Sequence, residues 1–110
     1  MLIFFKIISI VYLTLLLKIG GNIVSISYTL KALSDVTRRK ILKLLTNGKM
    51  SAGDLSNQLR ISPGTLSYHL SSLKKANLIV EYKFKNFIFY ELNTTVFNEL
   101  IIWLKEFEIV

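Results

Sequence analysis

The residues of this 110-residue chain best placed to do chemistry lie between Ser62 and Lys75, in the run SPGTLSYHLSSLKK. At roughly 100° per residue on a helix, Gly64, Thr65, Tyr68, Ser71, Ser72 and Lys75 fall on one side, with Ser67 on its flank. Opposite them run Leu66, Leu70 and Leu73 at i, i+4 and i+7. Small and hydroxyl-bearing side chains with one charge among them suit hydrogen bonding to a partner approached closely, and base edges in a DNA major groove are such a partner. An ordinary solvated helix face is the alternative that the same residues allow. Catalysis does not fit the inventory. Ser67 and His69, the single histidine, would project about 160° apart on a helix. No carboxylate shares a motif with that histidine, and no Gly-rich phosphate loop is present. With no cysteine and one imidazole, no disulfide, metal site or other cofactor is expected, and His69 reads as a partly buried helix residue bonded to a neighbour.

Local signals place the elements that would hold this surface. Ser62 can cap the helix and Pro63 fits its first position, where the missing N–H has no partner anyway. Upstream, Ser51 caps a short helix over Ala52–Leu59, with Asp54 as a capping-box partner and Leu55, Leu59 and Ala52 facing inward. Only Arg60, Ile61 and Ser62 separate the two, which is a helix-turn-helix arrangement. Before it, Asp35 caps a helix over Val36–Asn47 that Gly48 stops, with a core face of Ile41, Leu44 and Leu45 and Leu42 beside them. Arg38 and Arg39 in its first turn oppose the helix dipole, so a phosphate or an acidic partner group is expected against one of them.

After Asn77 the period switches from helical to alternating. Val80, Tyr82 and Phe84 point one way, Glu81, Lys83 and Lys85 the other, and Phe87–Leu92 is aromatic and β-branched. A two-stranded hairpin follows, a wing whose Lys83, Lys85 and Asn86 are candidates for phosphate or minor-groove contact, a solvated turn being the alternative. Asn93, Thr94 and Thr95 can cap a last helix whose apolar residues cover more than one face. Such a helix needs a partner, and a second copy of the chain is expected to supply it. The predicted interface is Phe97, Leu100, Ile101, Trp103, Leu104 and Phe107, joined by Tyr28, Leu30 and Leu33 from one or two helical turns over Tyr28–Leu33.

Charge supports a polyanionic partner. The net charge is +7, and between Ser25 and Lys85 Lys and Arg outnumber acids by eleven to three, whereas Asn86–Val110 has one Lys against four Glu. The first 24 residues form a hydrophobic extension to the domain at 25–110. Three readings of it stand. The uninterrupted run Ile7–Leu17 is short for a bilayer, though Leu2–Ile19 spans if Lys6 and Lys18 snorkel; the run also suits a secretory signal without a small-residue cleavage site. The expectation here is a start assigned too early: Gly20-Gly21 can be encoded by a purine-rich ribosome-binding sequence, and Val24, just downstream, by a GTG initiator.

Taken together, LSDVTRRKILKLL, SAGDLSNQLRISPGTLSYHLSSLKKANLI and the YKFKNFIFYEL hairpin resemble the ArsR type of winged-helix repressor, and within it the SdpR-like branch of autorepressors, including the LNTTV that enters the last helix. The resemblance covers roughly Tyr28 to Phe107. It implies a fold that is mainly α with a small β-hairpin, a winged helix-turn-helix in the order α1-α2-α3-α4-β-β-α5. It implies a bacterial, cytoplasmic homodimeric repressor on double-stranded DNA, with the first and last helices at the dimer contact. Base contacts would come from the start of the recognition helix, Pro63, Gly64, Thr65, Ser67 and Tyr68, with Ser62, Ser71 and Lys75 completing the surface. Derepression by a membrane immunity-type protein is implied by the same branch. Val36 stands where proline is usual, Tyr68 where histidine is common, and Lys85 where a wing glycine is common, so a longer or strained turn is expected there. A membrane-tethered regulator and a helical adaptor that binds protein rather than DNA are the competing readings.

Overall fold

Leu66, Leu70 and Leu73 lie at the centre of the core, and the other elements are arranged around that stripe. The computed structural model describes residues 23–108. Within them α1 (Ile23–Leu33), α2 (Val36–Leu45), β1 (Met50–Ser51), α3 (Ala52–Leu59), α4 (Pro63–Lys75), β2 (Ile79–Phe84), β3 (Phe87–Leu92) and α5 (Thr94–Lys105) follow in order. The readings of the apolar extension concern residues 1–22 and lie outside the described residues; the boundary drawn after residue 24 falls inside the first turn of α1. Among the described residues no helix is long and apolar enough to cross a membrane.

Side-chain caps set the helix starts. Asp35 accepts from the Arg38 backbone N–H at 3.0 Å, Ser51 from that of Asp54 at 3.1 Å, and Ser62 from that of Thr65 at 3.1 Å. Each satisfies a donor that the first turn would otherwise leave unpaired. Arg60, at φ 55, ends α3 in the left-handed conformation, and the Ser56 hydroxyl donates to the Ile61 carbonyl at 2.6 Å, which fixes the short turn into α4. Asn77, at φ 57, turns the chain out of α4 into β2, at the point where the sequence period switches.

The core joins Ile41, Leu42 and Leu45 of α2, Leu55 of α3, the α4 stripe, Ala76, Leu78, Ile79 and Tyr90. Leu42 is buried and Leu44 only half-buried, so the inward face of α2 is turned slightly from the expected one.

Two further expectations need correction, and a third, the longer or strained turn at Lys85, holds in its second form. The first helix is eleven residues long rather than one or two turns. The wing is not a free two-stranded hairpin: Met50 pairs with Tyr90 and Ser51 with Phe89, giving a three-stranded sheet of order β1-β3-β2. The turn is not lengthened either. Phe84 pairs with Phe87, so Lys85 and Asn86 close it alone, with Lys85 at φ 56. The hairpin presents Ile79, Tyr90 and Leu92 to the core, while Tyr82 stacks on Phe89 (5.9 Å between centroids) on the outer face, where Lys49 lies over both rings.

Candidate nucleic-acid interface

Buried Leu66, Leu70 and Leu73 lock the rotation of α4, so the side predicted to be polar faces outward. Gly64, Thr65, Ser67, Ser71 and Lys75 are exposed, Tyr68 is 67% exposed, and Ser72 is half-buried. Ser62 and Pro63 are exposed at the helix start, where the Ser62 hydroxyl also donates to Thr65 Oγ1 at 2.9 Å. A Cβ built on Gly64 would meet nothing within 4 Å, so no packing demand of the fold requires glycine there.

The two flanks of α4 are held differently. On the hairpin side Lys74 pairs with Glu81 at 2.9 Å. The bond from Lys74, with a second from the Tyr90 hydroxyl, holds the Glu81 carboxyl below its usual range. Burial, reinforced by Glu81, pushes the Tyr90 hydroxyl up to about 12. On the α1 side the contacts are buried. Arg38, 8% exposed, donates from Nε to the Ala32 carbonyl at 2.8 Å and from Nη2 to the Lys31 carbonyl at 3.1 Å, and its Nη1 lies 3.3 Å from His69 Nδ1. A guanidinium has no acceptor, so that last contact requires Nδ1 to accept. Asp35 Oδ2 stands 3.7 Å from the same nitrogen, and the Arg38 backbone N–H it accepts, with the charge of the Arg38 guanidinium, holds its carboxyl low. His69 is thus a buried helix residue bonded to a neighbour.

These contacts overturn one expectation. Arg38 is not available to phosphate, because its guanidinium is buried against the carbonyl end of α1. Arg39 donates to the Leu33 carbonyl at 2.7 Å and remains exposed. The dipole cost of two arginines in the first turn of α2 is offset by capping the negative end of α1, a partner six or seven residues upstream that helix periodicity does not reveal.

Lys83, Lys85 and Asn86 are exposed on the wing, with Lys85 Nζ 5.5 Å from the Phe84 ring. At the chain end, only Val96 and Phe97 of α5 pack on the core, and no residue of α5 is buried. Ile101, Leu104 and Phe107 are exposed, Leu100 and Trp103 half-buried, and Trp103 meets Phe107 edge to face at 5.2 Å. Tyr28 and Leu30 are exposed on α1 and Leu33 is half-buried. Tyr28 faces a polar notch beside α4 together with Lys31, a lysine that sequence reasoning passed over; its place in the last turn of α1 was the available signal. Among the described residues no group of His, Cys, Asp and Glu could hold a metal ion.

Comparison with known proteins agrees with this geometry. The family profile described as bacterial regulatory protein, arsR family, matches residues 35–81. The transcriptional repressor SdpR of Bacillus subtilis is 48% identical over 77 residues, 70% of this chain and 86% of that protein. An ArsR-like transcriptional regulator from Rhodococcus sp. RHA1 superposes with a TM-score of 0.73 at 28% identity, covering 78% of this chain and 81% of that one. The homodimeric winged helix-turn-helix DNA-binding domain Mb0332 of Mycobacterium bovis, at 18% identity and a TM-score of 0.66 over 81% and 87% of the two chains, shares the fold. Relatives of this kind are transcriptional regulators rather than enzymes. A winged helix-turn-helix, with the hairpin β2–β3 as its wing, the chain belongs to the ArsR family of bacterial regulatory proteins.

Proposed function

We propose that this protein is a transcriptional repressor that binds double-stranded DNA as a homodimer over a palindromic operator, its own promoter included. The observation that carries the reading is the outward row on α4: small apart from Tyr68, mostly hydroxyl-bearing and uncharged over its first two turns, and held by the leucine stripe behind it. A helix of about 10–12 Å diameter fits a major groove of about 12 Å, and small side chains at the start of α4 let its backbone come close to base edges. Gly64, Thr65, Ser67 and Ser71 supply that surface. Lys83, Lys85 and Asn86 of the wing, and Arg39, supply backbone contacts.

The far half of α5 supports the dimer. Ile101 and Leu104, with Phe107 just beyond the helix, are exposed, and none of them packs on the core formed by the described residues; an amphipathic stripe of this size is buried by a two-fold copy in the commonest assemblies. Leu30 and Leu33 extend the same reading to α1. Two copies of α4 one DNA turn apart, about 34–36 Å, read two half-sites of opposite sense. Release from the operator by capture on a membrane immunity-type protein belongs to the proposal only as what the sequence resemblance implies. Co-purification from the host membrane tests that assignment.

The DNA reading is tested by titrating the intergenic duplex upstream of the coding region, and a scrambled duplex, across a salt series. Binding to the first should fall linearly in log salt, and Ser67→Ala should reduce discrimination between the two by about 1–3 kcal/mol. Equal loss on both duplexes removes Ser67 from base readout. A protein that binds neither duplex at low salt refutes the function.

A further inference from the structure

A cavity of about 240 Å³ lies between α1 and α4, lined by Tyr28, Lys31, Arg38, Tyr68, Ser72 and Lys75. It holds three cations and three hydroxyls, and no carboxylate lines it. Its back wall is the fixed, buried Arg38 guanidinium, whose bonds to the Ala32 and Lys31 carbonyls leave its charge in place. Asp35, the acid nearest to that wall, is turned toward the Arg38 backbone N–H and His69 and does not line the space. The two lysines are exposed and free to reach in. At about 30 Å³ per water the space equals roughly eight waters, ample for one phosphodiester group.

We propose that Tyr28 and Lys31 of α1, with Tyr68, Ser72 and Lys75 of α4, form a seat for one backbone phosphate of the duplex that α4 enters. The inference rests on the reading of α4 as the groove-entering helix. Tyr68, Ser72 and Lys75 recur at i, i+4 and i+7, so they form one continuous edge of that helix. Ser67 and Ser71 lie on the other edge, the side on which Lys74 meets the hairpin. A helix that fills the groove brings its edges, rather than its outermost ridge, against the sugar-phosphate walls. On the α1 edge the wall meets a cavity already cationic and rich in hydroxyl donors. Tyr68 therefore contacts backbone rather than a base, and Tyr28 serves DNA rather than the dimer. The contact fixes how deeply and at what angle α4 sits, without regard to sequence.

The test compares wild type, Lys31→Gln and Tyr28→Phe with Lys43→Gln, a control that removes the same charge on the α2 face toward Phe97. Each is titrated on the upstream and scrambled duplexes across a salt series, after thermal melting has shown it folded. Losing one phosphate contact lowers the log–log salt slope by about 0.9, which is about eightfold in affinity at 0.1 M salt. Lys31→Gln is expected to show that loss equally on both duplexes, Tyr28→Phe a smaller loss on both, and Lys43→Gln none. Lys31→Arg restores the slope and serves as the folded variant if the glutamine does not fold. A wild type that binds no duplex refutes the function itself. A wild type that binds while Lys31→Gln matches it, or while Lys43→Gln loses as much, or a loss confined to one duplex, overturns the seat alone. Inorganic phosphate titrated at constant ionic strength, followed through the amide shifts of Lys31–Leu33, separates a free-anion site: saturation without DNA, with duplex affinity unchanged in Lys31→Gln, also overturns it.

Discussion

Replacing Gly64 with alanine pulls the stability of the fold and the seating of α4 in opposite directions. Gly64 is the second residue of α4, directly after Pro63, and its φ is not positive, so alanine adopts its backbone without strain. An added Cβ meets nothing within 4 Å, so no core contact is disturbed. In a helix interior the exchange is worth about 0.8–1 kcal/mol, and in the first turn about half of that. For a domain of this size, about 0.5 kcal/mol raises the melting temperature by roughly 2–4 °C. In the proposed DNA complex the same methyl stands on the ridge that faces the bases. Disturbing one good base contact there removes about 1–3 kcal/mol, roughly five- to 150-fold in affinity. Circular dichroism melting and fluorescence anisotropy on the upstream duplex read the two effects separately. A variant that melts higher and binds as tightly as wild type refutes the approach of this helix start to base edges.

Two further substitutions test the other surfaces. Trp103→Ala removes the largest side chain of the unpartnered α5 face and is expected to weaken dimerisation by about 2 kcal/mol, near thirtyfold, while the fold itself, which uses only Val96 and Phe97 of that helix, persists. Sedimentation velocity across a dilution series reads it, and an unchanged profile misplaces the interface. Lys85→Gly relieves a left-handed residue costing about 1–2 kcal/mol, less the entropy that glycine loses, for a net gain of about 0.5–1 kcal/mol in urea unfolding; a loss of stability would show that the turn is not strained.

How much was legible in the sequence follows from the range of each signal. The starts of α2, α3 and α4 were readable because each cap acts within three residues, Asp35 on Arg38, Ser51 on Asp54 and Ser62 on Thr65. The outward row of α4 was readable because Leu66, Leu70 and Leu73 allow one rotation only. The length of α1 was not, because residues 23–27 interleave apolar and hydroxyl side chains and continue the apolar run before them without a clear change of period. Strand β1 was invisible for a different reason: two residues pair with a strand some forty positions away, and nothing in Met50–Ser51 announces Phe89–Tyr90. The inward face of the hairpin was misleading because the aromatic side of β2, Val80, Tyr82 and Phe84, turns away from the core; Ile79, Tyr90 and Leu92 take the core, while Lys49, from outside the hairpin, covers the Tyr82 and Phe89 rings opposite. The notch at Lys31 escaped because it joins two helices whose approach depends on Arg38, whose partners lie across a helix corner.

Those corner contacts raise the question of which flank sets the orientation of α4, and the magnitudes answer it. Lys74 and Glu81 are both substantially exposed, so their pair is worth about 0–1 kcal/mol whatever its 2.9 Å geometry. Arg38 is buried, and its removal leaves the Ala32 carbonyl without its guanidinium donor, the Lys31 carbonyl with only the Ser34 groups, and His69 facing Asp35 alone. Hydrogen bonds to a charged group contribute about 1.5–3 kcal/mol each, and two such losses approach the whole stability of a small domain at about 5 kcal/mol. Arg38→Ala is therefore expected to lower urea-unfolding stability by about 3 kcal/mol or more, and Lys74→Ala by less than about 1 kcal/mol. Because Arg38 reaches α4 through His69, the milder His69→Ala should weaken binding to the upstream and scrambled duplexes together, by tilting a helix whose own base-facing side chains are intact. If Lys74→Ala proves the more damaging, or His69→Ala binds DNA as wild type does, the hairpin rather than the α1 corner orients the recognition helix.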